Sequence, residues 1–388
     1  MSYQKIGLFM IKMSVNYDRS SQAIWRLLSQ VEAFRQAVQS LPVPPKLAEY
    51  VNRLVVARTV HGTVAIEGSS LTEEEAQDLI GKEGKVELPG REREKMEALA
   101  AQRAHEYVRT VWGKEPDRPI TEEDVCHIHR LLTEGIPYEN NLPGEYRHHA
   151  VRVGSPRHGG VYKPPEGRET IRRLVREFLE WLNSREVAEG EPGPVRAILA
   201  HYFFVLIHPF GDGNGRTARA LESLILYKGG YNVKGFYSLA NYYYRHRDDY
   251  FTHLQLTRTR HQGDQAELLL FALQGLVEEL EYIQHLIIER LKIILFQNLI
   301  KERYDNKKLN SRQYAILDAL SDMPAGIPWE AYRNKTIPLL QGLYQRRTTQ
   351  TLVRDLRRMM AQGLAKVART EKDQSVVKAC VEIMDAFI

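Results

Sequence analysis

The sequence predicts a mostly α-helical chain with a short β-hairpin flap and a C-terminal winged helix-turn-helix, on three observations. Apolar residues recur at helical spacing from about residue 22 to residue 300. A break at 144–165, "GEYRHHAVRVGSPRHGGVYKPP", mixes β-branched residues, glycines and paired prolines, and reads as a hairpin or extended flap. Beyond residue 305 two helices with polar and basic faces precede two short strand candidates around a polar turn.

The helices follow in order. "QAIWRLLSQVEAFRQAV" (22–38) is amphipathic and stops before Pro42, which cannot continue a helix. "PKLAEYVNRLVVARTV" (45–60) reads as a second helix. Thr72 caps "EEEAQDLI", whose acids sit where the helix dipole favours them. A long helix is expected over 92–112, and Thr121 with Asp124 forms the N-cap pattern before "VCHIHRLLTEG". "GRETIRRLVREFLEWLN" (167–183) and "GPVRAILAHYFFVLI" (193–207) continue the period. The second is apolar on nearly every side, so it should be buried all round. Residues 265–300 are long enough for a strut. This organisation divides the chain into an N-terminal helical region (1–110), a core (111–262), a linking helix (263–304) and a winged-helix module (305–388).

Bulk properties exclude several classes. Hydrophobic residues make up 43% and charged residues 27% of the 388 positions, which is an ordinary globular composition. No run reaches the roughly 18 apolar residues of a membrane span. "MSYQKIGLFMIKMS" lacks the small-residue cleavage site of a secretory signal. Cys126 and Cys380 suggest no disulfide framework, so a cytoplasmic setting is the expectation. The net charge of +5 proves no nucleic-acid binding.

The chemistry concentrates in "HPFGDGNGRTAR" (208–219), directly after the buried helix. Gly211, Gly213 and Gly215 let a ligand approach the backbone, and successive N–H groups in such a turn bind anions. The loop opens onto a helix N-terminus, which favours phosphate. Arg216 and Arg219, three apart, can face one side and hold separate phosphates. Asp212 is an odd acid in so positive a setting, and a magnesium ion bridging it to phosphates explains it. Asn214 can donate to a phosphoryl oxygen, and His208 can accept a hydroxyl proton. The sum is phosphoryl-type transfer; no Walker P-loop is present.

This segment resembles the Fic motif H-x-F-x-[DE]-G-N-G-R-x-x-R at every defined position: His208, Phe210, Asp212, Gly213, Asn214, Gly215, Arg216 and Arg219. The similarity covers about residues 110–262. It implies transfer of AMP from ATP to a protein hydroxyl with release of pyrophosphate. His208 is then the general base, Asp212 binds Mg²⁺, and the loop from Gly211 to Gly215 with Asn214 holds the α-phosphate region. Arg216 and Arg219 bind the outer phosphates, and Phe210 anchors the loop in the core. In Doc toxins a lysine stands at the position of Gly215, so glycine here leans toward AMP transfer.

A second stretch, "TVAIEGSS" (63–70), resembles the inhibitory motif [ST]-x-x-x-E-[GN] of many Fic proteins through Thr63, Glu67 and Gly68. Thr63 and Glu67 are four apart and share a helical face. The resemblance implies that Glu67 pairs with Arg219 and removes the cation that would hold the γ-phosphate. A plain N-cap with a solvent-facing acid is the alternative.

The flap resembles the Fic hairpin that pairs with the target segment, with Val151, Arg152 and Val153 as the candidate strand. Tyr250 and Phe251 are the adenine-side candidates, while Tyr242, Tyr243 and Tyr244 suit helix packing equally well. Residues 345–369 carry seven basic residues and one acid, Asp355. That leaves duplex DNA open as a partner, with Thr348 and Thr349 capping a recognition helix. A homodimer also stays open. The expected partners are thus ATP and a target protein presenting a Ser, Thr or Tyr hydroxyl, with no membrane. Two other readings stand: removal of AMP at the same site, and a DNA-binding regulator whose core senses ATP. His127, His129, His148 and His149 make no convincing zinc set.

Overall fold

The computed structural model describes residues 11–82, 84–114, 118–139, 141–231, 239–259 and 263–387. Most of the apolar N-terminal stretch weighed as a signal lies outside them. Contacts divide the chain into two units, Met1–Gln284 and His285–Ile388. Among the described residues no helix is long and apolar enough to cross a membrane.

The first unit is helical. α1 (Gln22–Ser40), α2 (Pro45–Ile66), α3 (Glu73–Gly81), α4 (Glu92–Lys114) and α5 (Glu122–Thr133) come first. The capping boxes read from Thr72 and Thr121 both form, with Glu75 and Asp124 answering them. Between α5 and α6 (Arg168–Asn183) lies a two-stranded antiparallel hairpin, β1 (Val153–Ser155) and β2 (Gly160–Tyr162). The strand therefore starts at Val153. Val151 and Arg152, expected within it, precede it as irregular chain because the register pairs Val153 with Tyr162 and goes no further back.

α7 (Arg185–Gly190), α8 (Gly193–Ile207), α9 (Asn214–Lys228), α10 (Ala240–Arg245) and α11 (Arg247–Thr259) complete the core, and α12 (Ala266–Asp305) runs on across the unit boundary. α8 is buried along nearly its whole length, as its apolar sequence requires. α9 packs against α8, α4 and α5, and α2 lies along α10. The loop 208–213 thus joins two largely buried helices, and Glu67, at the C-terminal end of α2, shares a cavity with its His208.

The second unit holds α13 (Ser311–Ser321), β3 (Ile327–Pro328), α14 (Trp329–Arg333), α15 (Pro338–Tyr344), α16 (Thr349–Ala361), β4 (Ala365–Arg369) and β5 (Ser375–Ala379). Its antiparallel sheet has the order β3-β5-β4. The periodicity shows α13, α16, β4 and β5; β3, α14 and α15 are too short to leave a periodic signal. Thr348 is the N-cap of α16. Leu352, Leu356 and Met359 face the core, and Asp355 turns inward with them, fully buried. Its carboxylate accepts from Tyr344 Oη at 2.8 Å and from Arg312 Nη2 at 3.0 Å.

Candidate active site

His208 ends α8 in the left-handed region, at φ 49°. As glycines, Gly211, Gly213 and Gly215 can open the backbone to a ligand, a freedom that includes positive φ. Of these only Gly213 adopts it, at φ 74°, while Gly215 lies inside α9. The sharp turn is therefore made by the histidine and one glycine. A Cβ at Gly213 would meet Thr133 Cγ2 at 2.9 Å, on top of the unfavourable φ. Gly213→Ala is expected to lower stability by roughly 1–3 kcal/mol, read as a drop in thermal or urea midpoint.

The His208 Nδ1 stands 3.3 Å from the Val205 carbonyl, which can only accept. Nδ1 therefore carries the proton and Nε2 keeps its lone pair. Burial pushes the imidazole down to about 4, against the opposing pull of the Val205 carbonyl; Arg147 pushes the same way as burial. At neutral pH the ring is uncharged and able to accept a proton.

Arg219 is buried and closely held. Its Nε donates to Thr63 Oγ1 at 2.9 Å, and its Nη2 to the Thr63 carbonyl at 3.0 Å and to Glu67 Oε1 at 2.7 Å. Thr63 and Glu67, one turn apart on α2, thus converge on one guanidinium. Burial opposes the Glu67 charge, but Arg219 and Arg216 outweigh it and hold the carboxyl below its usual range. Gly68, at φ 104°, lets the chain turn away just after Glu67. The ideal Cβ of a residue at 215 would lie 2.5 Å from Glu67 Oε1, so glycine there leaves room for the carboxylate.

Arg216 is also buried and engaged, by Tyr138 Oη and, at 3.2 Å, by Asp212 Oδ1. Asp212 Oδ1 accepts from the Gly213 N–H as well, whereas its other oxygen takes no hydrogen bond among the described residues. The side chain is 45% exposed. No group of three or more His, Cys, Asp or Glu side chains surrounds it among the described residues. A half-exposed single carboxylate suits Mg²⁺, which completes its octahedron with water and phosphate oxygens.

Asn214 differs from expectation. Its Oδ1 accepts from the Phe210 N–H at 2.9 Å and its Nδ2 donates to the Phe210 carbonyl at 2.9 Å. The carboxamide clamps the loop, so what Asn214 can offer an anion is its backbone N–H. Phe210 is fully buried.

The sequence reading missed two residues here. His129 stacks on Phe210 at 3.6 Å; its Nδ1 accepts from the Gly144 N–H at 2.9 Å, so Nε2 donates to the Asp212 carbonyl at 3.0 Å. Burial drives its imidazole down to about 3. Tyr138 holds Arg216 and also donates to Glu97 at 3.0 Å. The one available signal was that His129 follows Ile128 and precedes Leu132 by a turn, which puts it on the inner face of α5.

A cavity of about 390 Å³ brings Glu67, His208, Gly215, Arg219, Tyr250 and Phe251 together. Arg152 and Val153 of the flap line it too; Val151 does not. The adenine expectation for Tyr250 is corrected. That ring is 2% exposed and stacks on Tyr243 at 4.6 Å, and its hydroxyl lies 2.9 Å from His201 Nε2 and 3.4 Å from Arg219 Nη1. It lines the cavity but, at 2% exposure, offers a base little surface. Phe251 is half-buried and lines the cavity opposite the flap, whose His158 ring is 5.4 Å away.

Together, His208 at the end of α8, the glycine loop that opens onto α9 and the two buried arginines stand in one helical core. Residues 119–226 match the Fic/DOC family, so the chain carries a Fic domain. It is 30% identical over 208 residues to the protein adenylyltransferase Fic of Drosophila ananassae, covering 53% of this chain and 39% of that one. It is 33% identical over 175 residues to protein adenylyltransferase fic-1 of Caenorhabditis elegans, covering 44% and 32%. The chain thus spans less than half the length of these relatives. A Fic family protein from Desulfovibrio desulfuricans shares the fold with a TM-score of 0.58 at 20% identity, over 94% of this chain and 98% of that one. A Fic domain containing signaling protein from Bacteroides thetaiotaomicron gives 0.55 at 21% identity, over 68% and 97%.

Proposed function

We propose that this chain is a protein adenylyltransferase that transfers AMP from ATP to a Ser, Thr or Tyr hydroxyl of a target protein and is held inactive by its own Glu67. The observation that carries the reading is the cavity in which the neutral His208 and the Glu67–Arg219 pair stand together. The adenylyltransferase names of the relatives support the reaction class.

The target hydroxyl gives its proton to His208 Nε2 as its oxygen attacks the α-phosphorus. The bond from that phosphorus to the bridging oxygen breaks, and pyrophosphate leaves. The backbone N–H groups of Asn214 and Gly215, in the first turn of α9, receive the phosphates, while those of Asp212 and Gly213 are held by Asn141 and Asp212. Arg216 and Arg219 take the leaving group's charge once ATP displaces their present partners. Bound Mg²⁺ would be held by Asp212 and would neutralise phosphate charge. With Glu67 on Arg219, the γ-phosphate loses its cation and the triphosphate lies wrongly for in-line attack. Phe251 is the remaining base-side surface, and the hairpin β1–β2 presents the target strand. On this reading residues 1–110 carry the brake, 111–262 the catalysis, 263–304 the link and 305–388 a winged-helix module.

The test is incubation of the Glu67→Gly protein with α-labelled ATP. Label should enter protein and vanish on adding His208→Ala; no label with an intact, folded protein sinks the reading.

A second role, duplex-DNA binding by α16, is favoured by one observation. Asp355 is turned into the core, so the outward face of the helix shows Arg354, Arg357 and Arg358, with Arg346 and Arg347 in the preceding turn, all exposed. The full chain should shift a duplex at low salt and lose it steeply as salt rises. No shift at low salt rejects this role.

A further inference from the structure

We propose that Arg147 is a positioning residue that fixes the backbone of His208 and ties it to both ends of the flap, so that base and target strand keep one geometry. The proposal rests on the adenylyltransferase reading above. Arg147 is 2% exposed. Its Nε donates to the His208 carbonyl at 2.8 Å, its Nη1 to the His149 carbonyl at 2.9 Å and its Nη2 to the Pro165 carbonyl at 2.6 Å. Its own backbone N–H donates to the Pro209 carbonyl at 2.9 Å. One residue thus holds two consecutive carbonyls of the turn that carries the base. It also holds the two carbonyls that bracket the β1–β2 hairpin.

A merely structural tie does not need this chemistry. Burying a cation costs several kcal/mol unless it is compensated. Here no carboxylate hydrogen-bonds the guanidinium among the described residues, and the nearby Glu166 is paired with Lys163 at 2.6 Å. Carbonyl dipoles alone receive it. Only a guanidinium presents donors in three fixed, divergent directions. What those directions join is the strained residue His208, a non-glycine at φ 49°, and the base of the flap. The charge also lies close enough to help keep the imidazole unprotonated.

The experiment compares Arg147→Lys and Arg147→Met in the Glu67→Gly background. Lysine keeps the stem and charge but its one ammonium cannot serve three divergent carbonyls; methionine keeps only the stem. Expected are a kcat for target or self-modification about 100-fold lower, a KM for ATP within about twofold of the parent, and a raised His208 imidazole pKa by NMR in the methionine variant. If the methionine variant does not fold, the lysine variant decides. A kcat within about twofold of the parent overturns the proposal, as does a parallel loss of kcat and ATP binding. Failure of the Glu67→Gly parent itself to modify anything in a His208-dependent way would instead remove the underlying reading. The NMR titration would still show whether Arg147 acts on His208.

Discussion

Glu67→Gly should raise His208-dependent self-modification about tenfold to fortyfold over wild type. The carboxylate accepts a charge-assisted bond from Arg219 at 2.7 Å. Bonds of that kind contribute roughly 1.5–3 kcal/mol, and each 1.4 kcal/mol is a factor of ten. The Glu67 side chain is 38% exposed, so solvent screens the pair and the lower half of that range is expected. Removing the carboxylate leaves Arg219 on Thr63 and Tyr250, both neutral, and frees its charge for an incoming phosphate. Thr63 should therefore matter less: Thr63→Ala removes one neutral acceptor while Glu67 still binds the guanidinium. Label incorporation from α-labelled ATP, quantified per protein at equal folded fraction, measures both. A Glu67→Gly rate equal to wild type would show that the pair is a structural contact with no inhibitory role.

Much of this site was legible because its residues are contiguous. Twelve positions, 208–219, hold the base, the loop, the acid and both arginines, and the helix that follows can be read from its period. The long helices were equally clear, since α8 is apolar throughout and α3 and α5 carry their caps in plain view. Legibility ended where function depends on contacts distant in sequence. Arg147 stands about sixty residues before His208 and looks like one more arginine beside two histidines. His129 was weighed only as a metal ligand, because nothing in one sequence shows that α5 packs on the loop. Tyr250 was read for the aromatic face that a base needs, while its burial against Tyr243 leaves only the hydroxyl toward Arg219. Asn214 was given a phosphate by its chemistry, and the Phe210 backbone claims it by its geometry. In each case the residue type set what the side chain could do, and packing chose among those options.

The acid limb of the rate should lie below about pH 5, well under the range of an ordinary histidine. Burial holds His208 near 4, whereas the unperturbed imidazole titrates near 6.5. At pH 5.5 the half-buried ring is still about 97% neutral, against about 9% for an unshifted one, a difference of roughly tenfold in competent base. The profile is best taken on Glu67→Gly at saturating magnesium. Its kcat/KM reports the free enzyme, and removing Glu67 takes away a charge that pulls the imidazole upward, which by itself moves the limb further down. Stability behaves differently over the same window. His208 and His129, the latter held near 3, bind protons in the unfolded chain below about 6.5 but resist them when folded. The unfolded state therefore gains protons first, and the contribution that is complete above pH 6.5 is lost as pH falls toward 4. Between pH 6.5 and 5 the melting temperature should decline while the rate per folded molecule stays flat. A rate that instead halves near pH 6.5 would mean that the imidazole is solvated as an ordinary surface histidine, and the desolvated-base geometry would be wrong.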